Sequence, residues 1–287
     1  MLNNFLNFIY RYKIFNPIMR IILPHISQIP YLNQFKREKN IVVSLSAEEE
    51  SFDNLEYTLY SVFNQRVLPD NVILWISDEY ELSDLPYTVT KFIKYGLDVR
   101  FVKKLDSYTK MTYALKEYKN SIVVIADENI YYPNNWLSKL YLSYISNPNC
   151  IHVHTAIGVT LKSGKAVPDI EWTKYIGAEN ASYKYFPETT GGILYPPGCF
   201  VNDVLREDIY KNKVNTSWEV WSWVMSLVSG RKICIVKNHI NRFATTNIRV
   251  SFRKYNNIIK QQKKTDAELA KLFLYYGNNI KAKFNQE

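Results

Sequence analysis

A chain of 287 residues that is 47% hydrophobic and carries 22% charged side chains is long enough to bury a large core, which excludes a disordered or fibrous protein. Its three cysteines, Cys150, Cys199 and Cys234, are widely spaced without a CxxC pair, which points away from a disulfide framework or a cysteine zinc site and towards a reducing, cytoplasmic compartment. The net charge of +9 is concentrated at the ends: residues 1–40 hold six Lys/Arg against one acid, residues 231–287 thirteen against three, and the residues between them seventeen against twenty-three. An acidic middle argues against a nucleic-acid groove, whose affinity would fall steeply with salt.

In chain order, the first 39 residues form a basic aromatic segment. "FLNFIYRYKIFNPIMRIILPHI" interleaves Arg11, Lys13 and Arg20 with apolar residues, as a segment lying on an anionic membrane surface would. A helix packed on its own domain accounts for it equally well. No run reaches the roughly 18 apolar residues of a membrane span, and the N-terminus lacks the features of a signal peptide.

From residue 40 the pattern alternates. "NIVVSLS" predicts a buried strand, and "SFDNLEYTLYSVFNQ" a helix with Phe52, Leu55, Leu59, Val62 and Phe63 on one face and Ser51 as its cap. "NVILWIS" is a second strand, "YTVTKFIKYG" a short helix closed by Gly96, and "DVRFVKK" a third strand. "SYTKMTYALKEYK" then gives a helix with Met111, Ala114, Leu115 and Tyr118 inward, and "SIVVIAD" a fourth strand. Such alternation predicts an open, mostly parallel α/β sheet with helices on both faces, in which ligands bind beyond the carboxyl ends of the strands.

Asp127-Glu128-Asn129 falls at one of those ends, before the turn at Pro133-Asn134 and the helix "NNWLSKLYLSYI". Oxygen-rich side chains there suit a hard divalent ion shared with a diphosphate, or else a solvated, capped loop. Further on, "CIHVHTAI" sets His152 and His154 on one side of a strand, where they read as structural or wall residues. In "GGILYPPG", Gly191 and Gly192 allow a close backbone approach, so that a sugar could lie against this wall, and Pro196-Pro197-Gly198 fixes a turn. Trp218, Trp221 and Trp223 do not all share a helical face, and Trp221 reads as core. The tail, 241–287, is a basic extension, helical from about Asp266 to Tyr276, with Leu269, Leu272, Phe273 and Tyr276 on one side and Arg249, Arg253 and Lys254 before it.

Over residues 40–240 the succession "IVVSLS", "SVFNQRVLPDNVILW", "IADENIYYPNNWL" and "GGILYPPG" resembles glycosyltransferases of the Rossmann-like GT-A fold, in particular the family-2-like bacterial enzymes that build capsule or lipopolysaccharide. The resemblance implies a catalytic domain over 40–240 with N- and C-terminal helical appendages. It also implies transfer of a sugar, with inversion, from a nucleotide diphosphate donor, UDP-linked, to a glycan or lipid-linked acceptor at the inner face of the cytoplasmic membrane. The triplet stands where these enzymes carry D-x-D, which implies Mn2+ or Mg2+ on Asp127 and Asn129; because Asn129 replaces the motif's second acid and an amide is a weaker ligand, Asp127 is the safest ligand and Glu128, a donor-side contact, the substitute.

Ser44 and Ser46 match the segment facing base and ribose, with Asp78 as a further contact, and Lys110 matches the lysine of an "SYKK" element near the donor. Where relatives turn with Pro-x-Arg, this chain has "AEEES", whose Glu48 to Glu50 read as a solvated acidic loop. Relatives read T-A-D-D-x-W-x-W where this chain has "NTSWEVWSW", which implies Glu219 as the general base and Trp218 as an acceptor-stacking platform. His239 would be a further metal ligand. Because both acid clusters depart from the pattern, a non-catalytic glycan-binding or partner subunit on the same scaffold is the alternative.

Overall fold

The computed structural model describes residues 29–32, 39–103, 105–159, 161–162, 165–166, 180–213, 215–247 and 258–284. The basic aromatic stretch read over 5–26 lies outside the described residues, as do Arg249, Arg253 and Lys254. Among the described residues no helix is long and apolar enough to cross a membrane.

The chain runs β1 (Ile41–Ser46), α1 (Glu49–Phe63), β2 (Asn71–Ser77), α2 (Tyr87–Thr90), β3 (Leu97–Val102), α3 (Thr109–Glu117), β4 (Ile122–Ile125), β5 (Ile130–Tyr131), α4 (Trp136–Ser146), β6 (Ile151–Val153) and β7 (Ala156–Gly158). The short pair β8 (Leu161–Lys162) and β9 (Lys165–Ala166) precedes β10 (Tyr185–Pro187) and β11 (Ile193–Tyr195). Then come α5 (Trp218–Val228), β12 (Ile233–Ile235), β13 (Ala244–Thr245) and α6 (Ile258–Phe284).

Seven strands form the central sheet in the order β12-β6-β11-β4-β1-β2-β3. All neighbours are parallel except β11, which runs antiparallel between β4 and β6. This is the open, mostly parallel α/β sheet that the alternating pattern predicts.

Strand alternation sorts the core into two layers. Ile122, Val124 and Ala126 face one side with Leu55, Leu59 and Phe63 of α1 and Trp136 and Leu140 of α4. Val123 and Ile125 face the other, with Met111 and Ala114 of α3, Trp221 and Val224 of α5, and Leu269 and Leu272 of α6. Each fully buried Leu contributes about 2 kcal/mol of transfer free energy. Leu59→Ala, at a fully covered position, would add a cavity and cost about 2–5 kcal/mol.

Gly96 takes the left-handed conformation (φ 107°) that closes the turn before β3, as its position predicts. Ser51 differs from expectation. Glu48 is the N-cap of α1, which begins three residues earlier than its apolar stripe suggests because Glu49 and Glu50 favour the first turn. That frees the Ser51 hydroxyl to donate to Asn129 Oδ1 at 3.2 Å.

The chain builds β1, β2 and β3 outwards in one direction and then crosses back to lay β4 on the other side of β1. The strand order therefore reverses between β1 and β4, and a crevice opens at their carboxyl ends.

Candidate active-site cleft

A cleft of about 290 Å³ lies at that reversal, lined by Ser46, Glu48, Glu50, Ser51, Leu105, Asp106, Ser107, Lys110, Asp127, Glu128, Thr189, Trp218 and Glu219. Six residues singled out from the sequence meet here, from four separate parts of the chain: Ser46, Lys110, Asp127, Glu128, Trp218 and Glu219.

The acidic loop is held rigidly. Asp127 Oδ1 accepts the N–H of Asn129 at 2.9 Å, which makes the turn, while the Asp127 N–H donates to the hydroxyl of Tyr132 at 2.8 Å. Tyr132 is fully buried and stacked on Trp136, and burial, with the charge of Asp127 beside it, keeps its phenol protonated far above the ordinary range. Thr58 donates to the Glu128 carbonyl at 2.8 Å, and the Asn129 carbonyl accepts from Thr246 N–H at 2.7 Å and the Thr245 hydroxyl at 3.1 Å. The β5–β13 pair closes the loop from the far side.

Lys110, in the first turn of α3, is 8% exposed. Its Nζ donates to the Ala126 carbonyl at 3.2 Å, stands 3.5 Å from Glu128 Oε2 and lies 5.6 Å from the centre of the Trp218 ring. A lysine at a helix start opposes the dipole, and here the carboxylate, the carbonyl and the indole face offset that cost. Trp218 and Glu219 open α5 behind the N-cap Ser217, where a carboxylate is favoured by the helix dipole. The indole of Trp218 is 5% exposed, so it forms a wall of the cleft with little open face.

The other sequence candidates lie elsewhere. Ser44 is fully buried one pleat below Ser46; its hydroxyl donates to the Lys110 carbonyl at 2.6 Å and accepts from Trp75 Nε1 at 2.9 Å. Asp78 is exposed in the turn after β2 and does not line the cleft. Asn129 is 2% exposed; its Oδ1 accepts from Ser51, and its Nδ2 donates to Glu128 Oε1 at 2.8 Å. Gly191 and Gly192 are buried outside the lining, and what approaches them closely is protein. Trp136 Nε1 donates to the Gly191 carbonyl at 2.7 Å, and a Cβ on Gly192 would stand 2.7 Å from Trp136 Cζ2.

His152 and His154 are both fully buried on the α4 side, where they bond Ser143 and Asn147, and Trp136 and Ile240, respectively. His239 does not line the cleft, and burial together with the charge of Lys139 lowers its pKa.

Seven lining residues fall outside the set of site candidates that the sequence supplies, among them four polar ones in the segments after β1 and β3. Glu48 and Glu50 are exposed, yet they form the rim after β1. Asp106, whose Oδ1 accepts from Tyr108 N–H at 2.9 Å and Thr109 N–H at 3.1 Å, and Ser107 follow β3, where the rule of carboxyl-end loops would have placed them.

Hard oxygen donors at Asp127 and Glu128 suit the chemistry of Mg2+ or Mn2+, which keep several waters and share phosphate oxygens. No group of three or more His, Cys, Asp or Glu among the described residues converges on a metal position, and Asn129 directs its oxygen to Ser51.

No protein-family model matches the chain, and no curated protein matches its sequence. Solved structures that it resembles include a 4-diphosphocytidyl-2C-methyl-D-erythritol synthase, at 14% identity and TM-score 0.45, over 76% of this chain and 98% of the other. S. aureus TarS in complex with UDP-GlcNAc aligns at 11% identity and TM-score 0.47 over 71% of this chain, which spans 57% of the TarS chain. A CMP:2-keto-3-deoxy-manno-octonic acid synthetase complexed with CTP aligns at 9% identity and TM-score 0.43, over 77% of this chain and 97% of the other. At these identities and TM-scores no residue role carries over.

Proposed function

We propose that the chain is a glycosyltransferase that moves a sugar from a nucleotide diphosphate donor, UDP-linked, to a growing bacterial surface glycan. The observation that carries this reading is the convergence of Ser46, Lys110, Asp127, Glu128, Trp218 and Glu219 on one cleft at the strand-order reversal. Their roles follow from their chemistry. Ser46, at the open end of β1, offers a hydroxyl to the donor's base or ribose. The ammonium of Lys110 stands where it meets a phosphate oxygen and offsets charge growing on the leaving group. Asp127 and Glu128 are the residues that would hold a divalent ion, which supplies further charge neutralisation at the diphosphate. Glu219, at a helix start across the cleft, accepts the acceptor hydroxyl's proton as the new bond forms, and Trp218 walls off water.

The cleft lining holds Glu48, Glu50, Asp106, Asp127, Glu128 and Glu219 against one lysine. That balance disfavours a diphosphate unless a cation accompanies it, so binding should require Mn2+ or Mg2+. A thermal-shift survey of nucleotides and nucleotide sugars, with and without Mn2+, tests the reading, because a ligand at 100 times its Kd stabilises the folded state by about 2.7 kcal/mol. The expected result is a metal-dependent rise with a uridine nucleotide that is lost in Asp127→Ala. Silence across the survey from folded protein would favour the non-catalytic glycan-binding subunit, to which the same acidic balance is no obstacle.

A further inference from the structure

The helix that presents Trp218 and Glu219 does not cap itself. Ser217 occupies the N-cap with extended backbone (φ −76°, ψ 154°), but its side chain makes no bond to its own helix. Three donors at this turn converge instead on one oxygen of α6, Oε2 of Glu268. They are the Ser217 N–H at 2.9 Å, the Ser217 hydroxyl at 3.1 Å and the Thr216 hydroxyl at 3.1 Å. Glu268 is 3% exposed and lies 51 residues beyond Ser217. From the opposite side the Tyr108 hydroxyl donates to the Thr216 carbonyl, so the turn is gripped between the loop that carries Asp106 and Ser107 and the C-terminal helix.

The anchor is itself fixed. Leu269, Leu272, Tyr276 and Ile280 are buried in the same core as Trp221 and Trp223, and the Tyr276 hydroxyl donates to Asp203 Oδ2 at 2.9 Å. Burying a carboxylate is costly, and a serine hydroxyl alone is enough for an ordinary cap. A charge brought from a distant helix adds a constraint that an ordinary cap lacks: it ties the start of α5 to a second rigid element. The constraint falls on the next two residues, Trp218 and Glu219.

We infer that Glu268 is a positioning residue for the cleft. Its carboxylate fixes where Trp218 and Glu219 stand opposite Asp127 and Lys110, and the C-terminal helix is thereby part of the site. The role of Glu219 as general base rests on the transferase reading; its positioning by Glu268 does not.

The test uses the full chain and the variants Glu268→Ala, Glu268→Gln and Tyr276→Phe, the last of which removes a hydrogen bond of α6 about two turns beyond the cap and keeps the apolar face that seats the helix. Amide hydrogen exchange over 216–221 should speed up about tenfold in Glu268→Ala, the scale expected for a lost N-cap, and less in Glu268→Gln, which keeps an acceptor oxygen. Tyr276→Phe should leave 216–221 as in the parent, and 122–131 should be unchanged in all three. With UDP-GlcNAc and Mn2+, kcat for UDP release should fall in the same order while KM stays within about twofold, since Ser46, Lys110 and Asp127 do not move. Parent-like exchange in Glu268→Ala, equal loosening in Tyr276→Phe, or faster exchange with unchanged kcat would each overturn the inference. A parent protein that releases no UDP would count against the transferase reading, and the exchange pattern alone would then decide the positioning.

Discussion

Lowering the pH from 7 to 5 should destabilise the protein through His152 and His154. The Ile240 N–H donates to His154 Nδ1 at 3.1 Å, which leaves the ring proton on Nε2, 3.2 Å from the Trp136 carbonyl. Protonating Nδ1 would set two N–H groups against each other. His152 places Nε2 3.0 Å from the Asn147 carbonyl and Nδ1 2.8 Å from the Ser143 hydroxyl, so there protonation requires only that the hydroxyl turn. Burial lowers His152 to about 4, and burial together with the charges of Lys139 and His239 lowers His154 to about 3.

Both folded values lie below the unfolded value of about 6.5, so the unfolded chain binds protons that the native state refuses, and stability falls as the pH drops below that value. At pH 5 each histidine accounts for a loss of about 2 kcal/mol relative to pH 7, about 4 kcal/mol for the pair. That is a large part of a typical stability of roughly 5–15 kcal/mol. Urea unfolding followed by circular dichroism at constant ionic strength measures the difference. His152→Gln and His154→Gln should each remove about half of it, which separates the histidines from carboxylates titrating nearby. A pH effect below about 1 kcal/mol in the parent, or one that neither variant changes, would refute the reasoning.

Gly192→Ala combines a backbone at φ 73° with a Cβ pressed to 2.7 Å from Trp136 Cζ2, and should cost about 2–5 kcal/mol in thermal unfolding. At Gly198, also at positive φ (58°) but with nothing within 4 Å, the same substitution should cost only about 1 kcal/mol, the backbone part. Ser44→Ala orphans the buried Nε1 of Trp75 and should lower stability by about 1–3 kcal/mol while leaving uridine-nucleotide affinity, measured calorimetrically, within about twofold. Lys110→Met should weaken the same affinity by tenfold or more, about 1.4 kcal/mol, with the fold retained, since its buried stem packs whichever end it carries.

The sheet was legible because strand and helix announce themselves by period, and Ile122 to Ala126 sort to the two faces of the sheet as a period of two requires. The cleft was legible where a motif ends a strand. Depth was not. Ser44 and Ser46 share a face of β1, but α3 covers the inner one, so its hydroxyl serves Trp75 and the Lys110 carbonyl, and only Ser46 reaches the opening. The direction of the Asn129 amide is hidden from the sequence for a similar reason. Adjacency in sequence to Asp127 does not carry its side chain into the cleft, because the turn that Asp127 makes directs the amide towards Ser51.

Glu268 left a trace that a pattern of apolar residues conceals. It stands four residues before Leu272 and eight before Tyr276, on the stripe that α6 buries, where a carboxylate has no place unless donors await it. Reading that stripe for its exception rather than its rule predicts a buried partner, and the N–H and hydroxyl of Ser217, with the Thr216 hydroxyl, supply one. Because the donors belong to the turn that presents Glu219, the charge buried on α6 and the half-buried one in the cleft are two ends of one mechanical element. A substitution at either should register at the other, and this coupling separates a helix that completes a site from one that only covers a core.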